Sequence, residues 1–146
     1  MKVVAKNRRA LFDFQILETI EAGMILTGQE AKSVRMGHAN LAGAYVSFLH
    51  GKPILKNASI SPYAFASNLD GYDPGRDRPL LLKKREIEKL NAQTAERGIS
   101  IVPLEIRAGK YIKIALGIGK GQKRLDKRQK IKERDMDRRM RTGREV

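Results

Sequence analysis

The chain has 146 residues, 41% of them hydrophobic, enough to bury one core in a domain of roughly 100–150 residues. Lys and Arg number 30 against 16 Asp and Glu, and the net charge of +14 attracts polyanions. The absence of Cys excludes disulfides and thiolate metal ligands and fits a reducing cytoplasm. No apolar run approaches the roughly 20 residues of a membrane-spanning helix. Lys6, Arg8 and Arg9 also interrupt the N-terminal stretch where a signal peptide's apolar core would run.

In chain order, Phe12, Phe14 and Ile16 alternate with polar positions and predict a half-buried strand. Thr27 and Glu30 have capping-box spacing, which predicts a short helix from there to Gly37, carrying Lys32 and Arg35 on an exposed side. The stretch YVSFLHGKPILK reads as two strands joined at Gly51-Lys52, with Pro53 suited to an edge or a strand start. Residues 68–79 hold Gly, Pro and Asp in quick succession and read as a loop. Pro79 is then placed at the first position of a second helix running from about Leu80 to Leu90. Val102, Leu104 and Ile106 alternate, as do Ile112, Ile114, Leu116 and Ile118, and residues 107–110 turn between them in the clearest hairpin of the chain. About six strands with two or three short helices predict a mainly β fold, a small closed barrel of the oligonucleotide-binding (OB) type.

Charge divides the chain into two parts. Residues 1–118 carry 18 basic and 11 acidic groups, and residues 119–146 carry 12 and 5, so half the surplus lies in the last 28 positions. That segment has few apolar residues and is expected to be a tail, disordered when free. Asp126/Lys130, Asp135/Arg139 and Asp137/Arg141 nonetheless place an acid four residues before a base, an arrangement that favours a helix once a partner is present. A plain solubilising tail is the bland reading, and an RNA-binding arm the preferred one.

With no Trp, four Tyr and four Phe, phosphate contacts rather than base stacking are expected to carry much of the affinity. The run Gly117-Ile118-Gly119-Lys120-Gly121 is not a Walker sequence, and it reads as backbone open to RNA phosphates, as a hinge between body and tail, or as both. His38 and His50 lack the neighbours that metal or general-base work requires. Glu30 has a structural role as a capping partner and a functional one as an acceptor for a base edge or an anchor for a basic side chain. Glu86 and Glu88, two apart, point to different faces of a helix. No nucleophile–base constellation emerges, so neither an enzyme nor a cofactor is expected.

The stretches LTGQEAKSVRMGHANLAGAYVSFLHGKPIL and ISPY, then RDRPLLLKKREIEKL, VPLEI and GKGQKRLDKRQKIKERD, occur in that order between Asn7 and Asp135. Together they resemble the small protein B family, the SsrA-binding proteins of bacterial trans-translation. The resemblance implies an OB-type barrel at residues 1–118 and a basic tail at 119–146 that becomes helical on the ribosome. It implies binding to the tRNA-like domain of transfer-messenger RNA (tmRNA), and delivery with elongation factor Tu to stalled ribosomes. The tail then stands in the empty mRNA channel for the missing codon–anticodon pair. Position by position, the RNA-facing set would be Asn7, Glu30, Lys32, Ser33, Arg35, Gly37 and Asn40, bordered by Lys120, Gly121 and Lys123. Asp126, Lys127, Arg128, Lys130, Lys132 and Arg134 would engage the ribosome. Gly43, Gln122 and Leu125 depart from the family pattern. A monomer is expected. A resident ribosomal protein and an RNA-modifying enzyme are the rival readings.

Overall fold

The computed structural model describes residues 2–64 and 71–121. Lys123 and the ribosome-engaging set from Asp126 to Arg134 lie outside the described residues, as does the expectation that the tail is disordered when free.

The chain is mainly β. Its elements run β1 (Lys2–Lys6), α1 (Arg8–Asp13), β2 (Phe14–Met24), α2 (Gly28–Arg35), β3 (Ala39–Asn40), β4 (Tyr45–Leu49) and β5 (Lys52–Lys56). Then come β6 (Ser59–Ile60), β7 (Arg78–Leu81), α3 (Lys84–Thr94), β8 (Ile99–Ala108) and β9 (Ile112–Gly121). Seven strands form one antiparallel sheet in the order β1-β8-β9-β2-β7-β5-β4, and β3 pairs with β6 apart from it. The sheet rolls on itself, so that β4 at one edge packs against β8 near the other. Leu41, Leu55, Ile60, Leu90, Ile101, Ile106, Ile114 and Leu116 fill the enclosed core. Register shifts at Val4, Leu17 and Leu104 each insert one extra residue, and such bulges raise the twist that a strongly curled sheet needs.

Among the described residues there are nine strands rather than about six. The four that no periodicity marked are short or on an edge: β1, β7 and the two-residue β3 and β6. The N-terminal boundary also shifts. Helix α1 occupies Arg8–Asp13, and the strand begins at Phe14 rather than Phe12. Asn7 makes the difference, because its side-chain oxygen accepts from the Ala10 amide at 3.1 Å and starts a helix inside the alternating pattern.

Pro79 does not open a helix. It sits within β7, where Arg78 and Leu80 point inward and Pro79 and Leu81 outward. Its missing N–H is tolerated because β7 changes partners there. Pairing with β5 covers Arg78 and Pro79, and pairing with β2 takes over at Leu80 and Leu81. The helix starts later, at Lys84, where the Glu86 carboxylate accepts from the Lys83 amide at 3.0 Å. The β4–β5 turn is His50-Gly51, one residue earlier than expected. Both have positive φ (51° and 75°), as a two-residue hairpin loop between Leu49 and Lys52 requires.

The glycines near the end of β9 are neither a loop nor a hinge up to Gly121, for the strand stays paired with β2 through that residue. They are small because side chains of the flanking strands lie over them. A Cβ at Gly117 would meet the Leu104 side chain at 3.0 Å, and one at Gly119 would meet the Phe14 Cβ at 2.9 Å. At Gly121 the space is open. Gly119→Ala is therefore expected to cost about 1–3 kcal/mol by overpacking. Gly121→Ala should change stability by no more than about 0.5 kcal/mol. Denaturant titration of both variants checks this, and equal effects would contradict the packing account.

Candidate nucleic-acid interface

Helix α2 divides its residues by side. Glu30, Ser33 and Val34, spaced three and four apart, are buried, while Lys32 and Arg35 are exposed. The expected capping box is present: the Thr27 hydroxyl accepts from the Glu30 amide at 3.2 Å, and the Glu30 carboxylate accepts from the Thr27 amide at 3.0 Å. Gly37, at φ +84°, ends the helical segment in the left-handed region that suits glycine.

Glu30 does more than cap. Its side chain is fully buried together with Arg78. Arg76 Nε and Arg78 Nε each donate to Oε2 at 2.9 Å, and Arg76 Nη2 donates to Oε1. Arg78 Nη2 also lies 2.8 Å from Oε2, but outside hydrogen-bond geometry, so that contact is coulombic only. Arg78 Nη1 ties the cluster to the backbone, donating to the carbonyls of Ala58 (3.0 Å) and Arg76 (2.9 Å). Beside it the Tyr72 hydroxyl donates to the Ile60 carbonyl at 2.7 Å, and its pKa is raised by burial and by the Glu30 charge. Ser33 Oγ donates to the Ser61 carbonyl at 2.6 Å. The inner side of α2 is thus bolted to β6, β7 and the segment between them.

Burial alone would push the Glu30 carboxyl upward. The Arg76 hydrogen bonds, the Thr27 amide and Arg78 override it and hold the pKa at about 2. A carboxylate depressed in the folded state stabilises above its ordinary value of 4.5, and that contribution is lost as pH falls toward about 2. Glu30→Gln leaves Arg78 buried without a countercharge and is expected to cost about 3–5 kcal/mol at neutral pH. In chemical denaturation, the gap between wild type and variant should close as pH falls from about 4.5 toward about 2. A gap independent of pH would contradict the network.

The outer side of α2 is basic. Lys32 Nζ lies 5.5 Å from the Tyr63 ring centroid. The Arg35 guanidinium donates to the carbonyls of Gly109 (2.7 Å) and Lys110 (3.3 Å), which joins the helix to the β8–β9 turn. Lys110 Nζ lies 5.7 Å from the ring of Tyr111, itself 65% exposed. Lys2, paired with Ala108 on β1, reaches the same end of the sheet. Lys2, Lys32, Arg35 and Lys110 have no acidic partner among the described residues.

The sequence-derived set therefore falls into three groups. Lys32, Arg35, Gly37 and Asn40 are exposed near this end, Asn40 accepting from the Ala42 amide at 2.9 Å. Asn7, Glu30 and Ser33 are buried with their polar atoms turned inward. Asn7 donates to the carbonyls of Leu41 (3.1 Å) and Pro103 (2.8 Å), and its own amide donates to the Leu104 carbonyl at 2.8 Å, where β8 bulges. Lys120 and Gly121 are exposed at the far end of β9, about 26 Å of strand from Ile112. They do not border the α2 surface. Arg76, Arg78 and Tyr72 were not singled out in the sequence. The signal for the two arginines was the spacing Arg76-x-Arg78-x-Leu80, which puts three side chains on one face of an extended segment.

Residues 4–145 match the family model for the SmpB protein. The SsrA-binding protein of Prochlorococcus marinus (strain MIT 9515) is 46% identical over 143 residues, covering 97% of this chain and 87% of the relative. That of Coprothermobacter proteolyticus is 44% identical, covering 97% and 95%. That of Enterococcus hirae is 43% identical, covering 94% and 89%. Among solved structures, a chain from work on tmRNA–SmpB and its journey to the center of the bacterial ribosome matches with a TM-score of 0.69 and 40% identity. The match covers 85% of this chain and 87% of that one. The chain belongs to the SmpB family of SsrA-binding proteins.

Proposed function

We propose that this chain binds the tRNA-like domain of tmRNA and delivers it, with elongation factor Tu, to stalled ribosomes. The observation that carries the reading is the basic end of the sheet. Lys2, Lys32, Arg35 and Lys110 converge there without acidic partners among the described residues, in a chain of a family named for binding SsrA RNA. Lys32, Arg35 and Lys110 meet phosphates, and the backbone around Gly37 and the Asn40 side chain let the RNA approach closely. Asn7, Glu30 and Ser33 serve the same surface from below, by fixing α1 and α2 rather than by touching RNA. Tyr63 and Tyr111 offer π faces beside the lysines.

Residues 119–146 form a separate working part. Lys123 continues the basic path from Lys120 and Gly121. Asp126, Lys127, Arg128, Lys130, Lys132 and Arg134 engage the small subunit in the vacant mRNA channel, where the segment becomes helical and replaces a codon–anticodon pair. The protein acts as a cytoplasmic monomer and by docking, with no catalytic step. Among the described residues, no helix is long and apolar enough to cross a membrane.

Two outcomes test this reading. In binding titrations at several salt concentrations, Arg35→Ala and Lys110→Ala should each flatten the log–log dependence by roughly 0.7–0.9. A wild-type affinity that ignores salt would contradict a phosphate-led interface. Deleting residues 122–146 should leave tmRNA affinity largely intact and abolish tagging of stalled peptides in a reconstituted translation assay. Equal loss of both activities would overturn the division of roles.

A further inference from the structure

Past the end of α2 the chain closes a Schellman motif. The Gly37 amide donates to the Val34 carbonyl at 2.9 Å, and the His38 amide donates to the Ser33 carbonyl at 3.1 Å. The His38 carbonyl in turn accepts from the Ser61 amide at 3.0 Å. The backbone of His38 is therefore fixed on both sides, yet the residue is exposed, as are Met36 and Gly37 before it and Asn40 after it. Its imidazole has no ion-pair or hydrogen-bond partner among the described residues. The chain has two histidines, and the other, His50, stands in the β4–β5 turn.

The charged groups around His38 are mostly basic. On α2 they are Lys32 and Arg35, since Glu30 is buried and taken up by its arginines. Strand β1, packed against α2 and β3, carries Lys2 and Lys6, and the β8–β9 turn carries Lys110. The segment after β6 brings Tyr63, whose ring has Lys32 over it. The segment before β7 brings Tyr72 and Arg76, both bonded within the protein, with Asp73 and Asp77. Asp73 accepts from the Gly75 amide at 3.0 Å, and Asp77 lies 3.8 Å from Lys56.

We propose that His38 is a conditional phosphate contact of the α2 end, meeting the RNA backbone as an imidazolium, so that RNA binding takes up a proton between about pH 5 and 8. This contact rests on the RNA-binding reading above and adds regulation by protons to the same surface. Histidine is the side chain whose charge ordinarily changes in that window. Lysine and arginine stay cationic throughout it, so Lys32, Arg35 and Lys110 supply the part of the affinity that pH does not change. Once protonated, an imidazole presents two N–H donors and a positive charge, and phosphate oxygens accept both. Phosphate favours the charged ring and the charged ring favours phosphate, so protonation and binding reinforce each other. The sign follows: affinity rises as pH falls through the window and declines as pH rises. The proton comes from solvent and returns there when the RNA leaves. Position supports the assignment, because His38 lies between Arg35 and Asn40 on one exposed stretch and its backbone cannot swing away.

Salt dependence reads this charge directly. The full-length protein is titrated with the isolated tRNA-like domain of tmRNA across a range of salt, at about pH 5.5 and about pH 7.5. The wild-type log–log slope should be steeper at the lower pH by up to roughly 0.7–0.9, the share of one phosphate contact, and affinity at fixed salt should be several-fold tighter. His38→Gln changes an exposed side chain, so it should keep the wild-type thermal midpoint and give one slope at both pH values. His38→Arg should hold the steeper slope at both. His50→Asn suits the positive φ of 51° in the β4–β5 turn and should retain the wild-type pH dependence. As a second measurement, calorimetry in buffers of different ionisation heat should show proton uptake on binding by wild type and none by His38→Gln. A wild-type slope that ignores pH would overturn the proposal. So would a pH dependence that survives in His38→Gln or disappears in His50→Asn. Failure of the functional reading looks different: wild-type protein would then show no preference for the tRNA-like domain over a structured competitor at either pH.

Discussion

A carboxylate with no access to water fixes the geometry of this protein's basic surface. Glu30 is buried on the inner side of α2, and a buried anion persists only with countercharges and hydrogen bonds arranged around it. Arg76 and Arg78 supply them from one extended segment, and the Thr27 amide adds a third donor. The outer side of α2 inherits its orientation from these contacts. Lys32 and Arg35 face outward because Glu30, Ser33 and Val34 face inward, and Arg35 reaches the β8–β9 turn because the helix cannot rotate away from it. A buried pair of this kind contributes little net stability compared with apolar packing. What it contributes is a single position for a helix whose other side carries charge.

Much of the fold was legible in the sequence, and where legibility failed the cause is physical. The capping box at Thr27 and Glu30, the β8–β9 hairpin and the β4–β5 hairpin follow from local chemistry and periodicity. Strand β7 was hidden because Pro79 suits both the first turn of a helix and a strand that changes partners. Only the tertiary pairing with β5 and β2 decides between them. Helix α1 was hidden because a six-residue helix with one buried residue leaves almost no period to detect. The glycines of β9 resembled a phosphate loop, since no local pattern reveals that Leu104, Ile16 and Phe14 lie across them.

The candidate site was legible in a different manner. Motif resemblance supplied its residue names, and the structure sorts those names by what each side chain does. Lys32, Arg35, Gly37 and Asn40 stand at the surface; Asn7, Glu30 and Ser33 hold that surface in place from beneath. Distance along β9 then separates Lys120 and Gly121 from the α2 end. A sequence cannot report that separation, because bases far apart in space look alike in a list of charges. Arg76 and Arg78 were missed for the opposite reason: an arginine in a basic chain reads as surface charge until its partner is known to be buried.

Hydrogen exchange of the full-length protein, with and without the tRNA-like domain of tmRNA, tests most directly whether the α2 end is the face that holds RNA. The account requires residues 32–40 and the 109–111 turn to gain protection in the complex, while α3 exchanges as it does in the free protein. Protection centred on α3, or absent from residues 32–40, would contradict it.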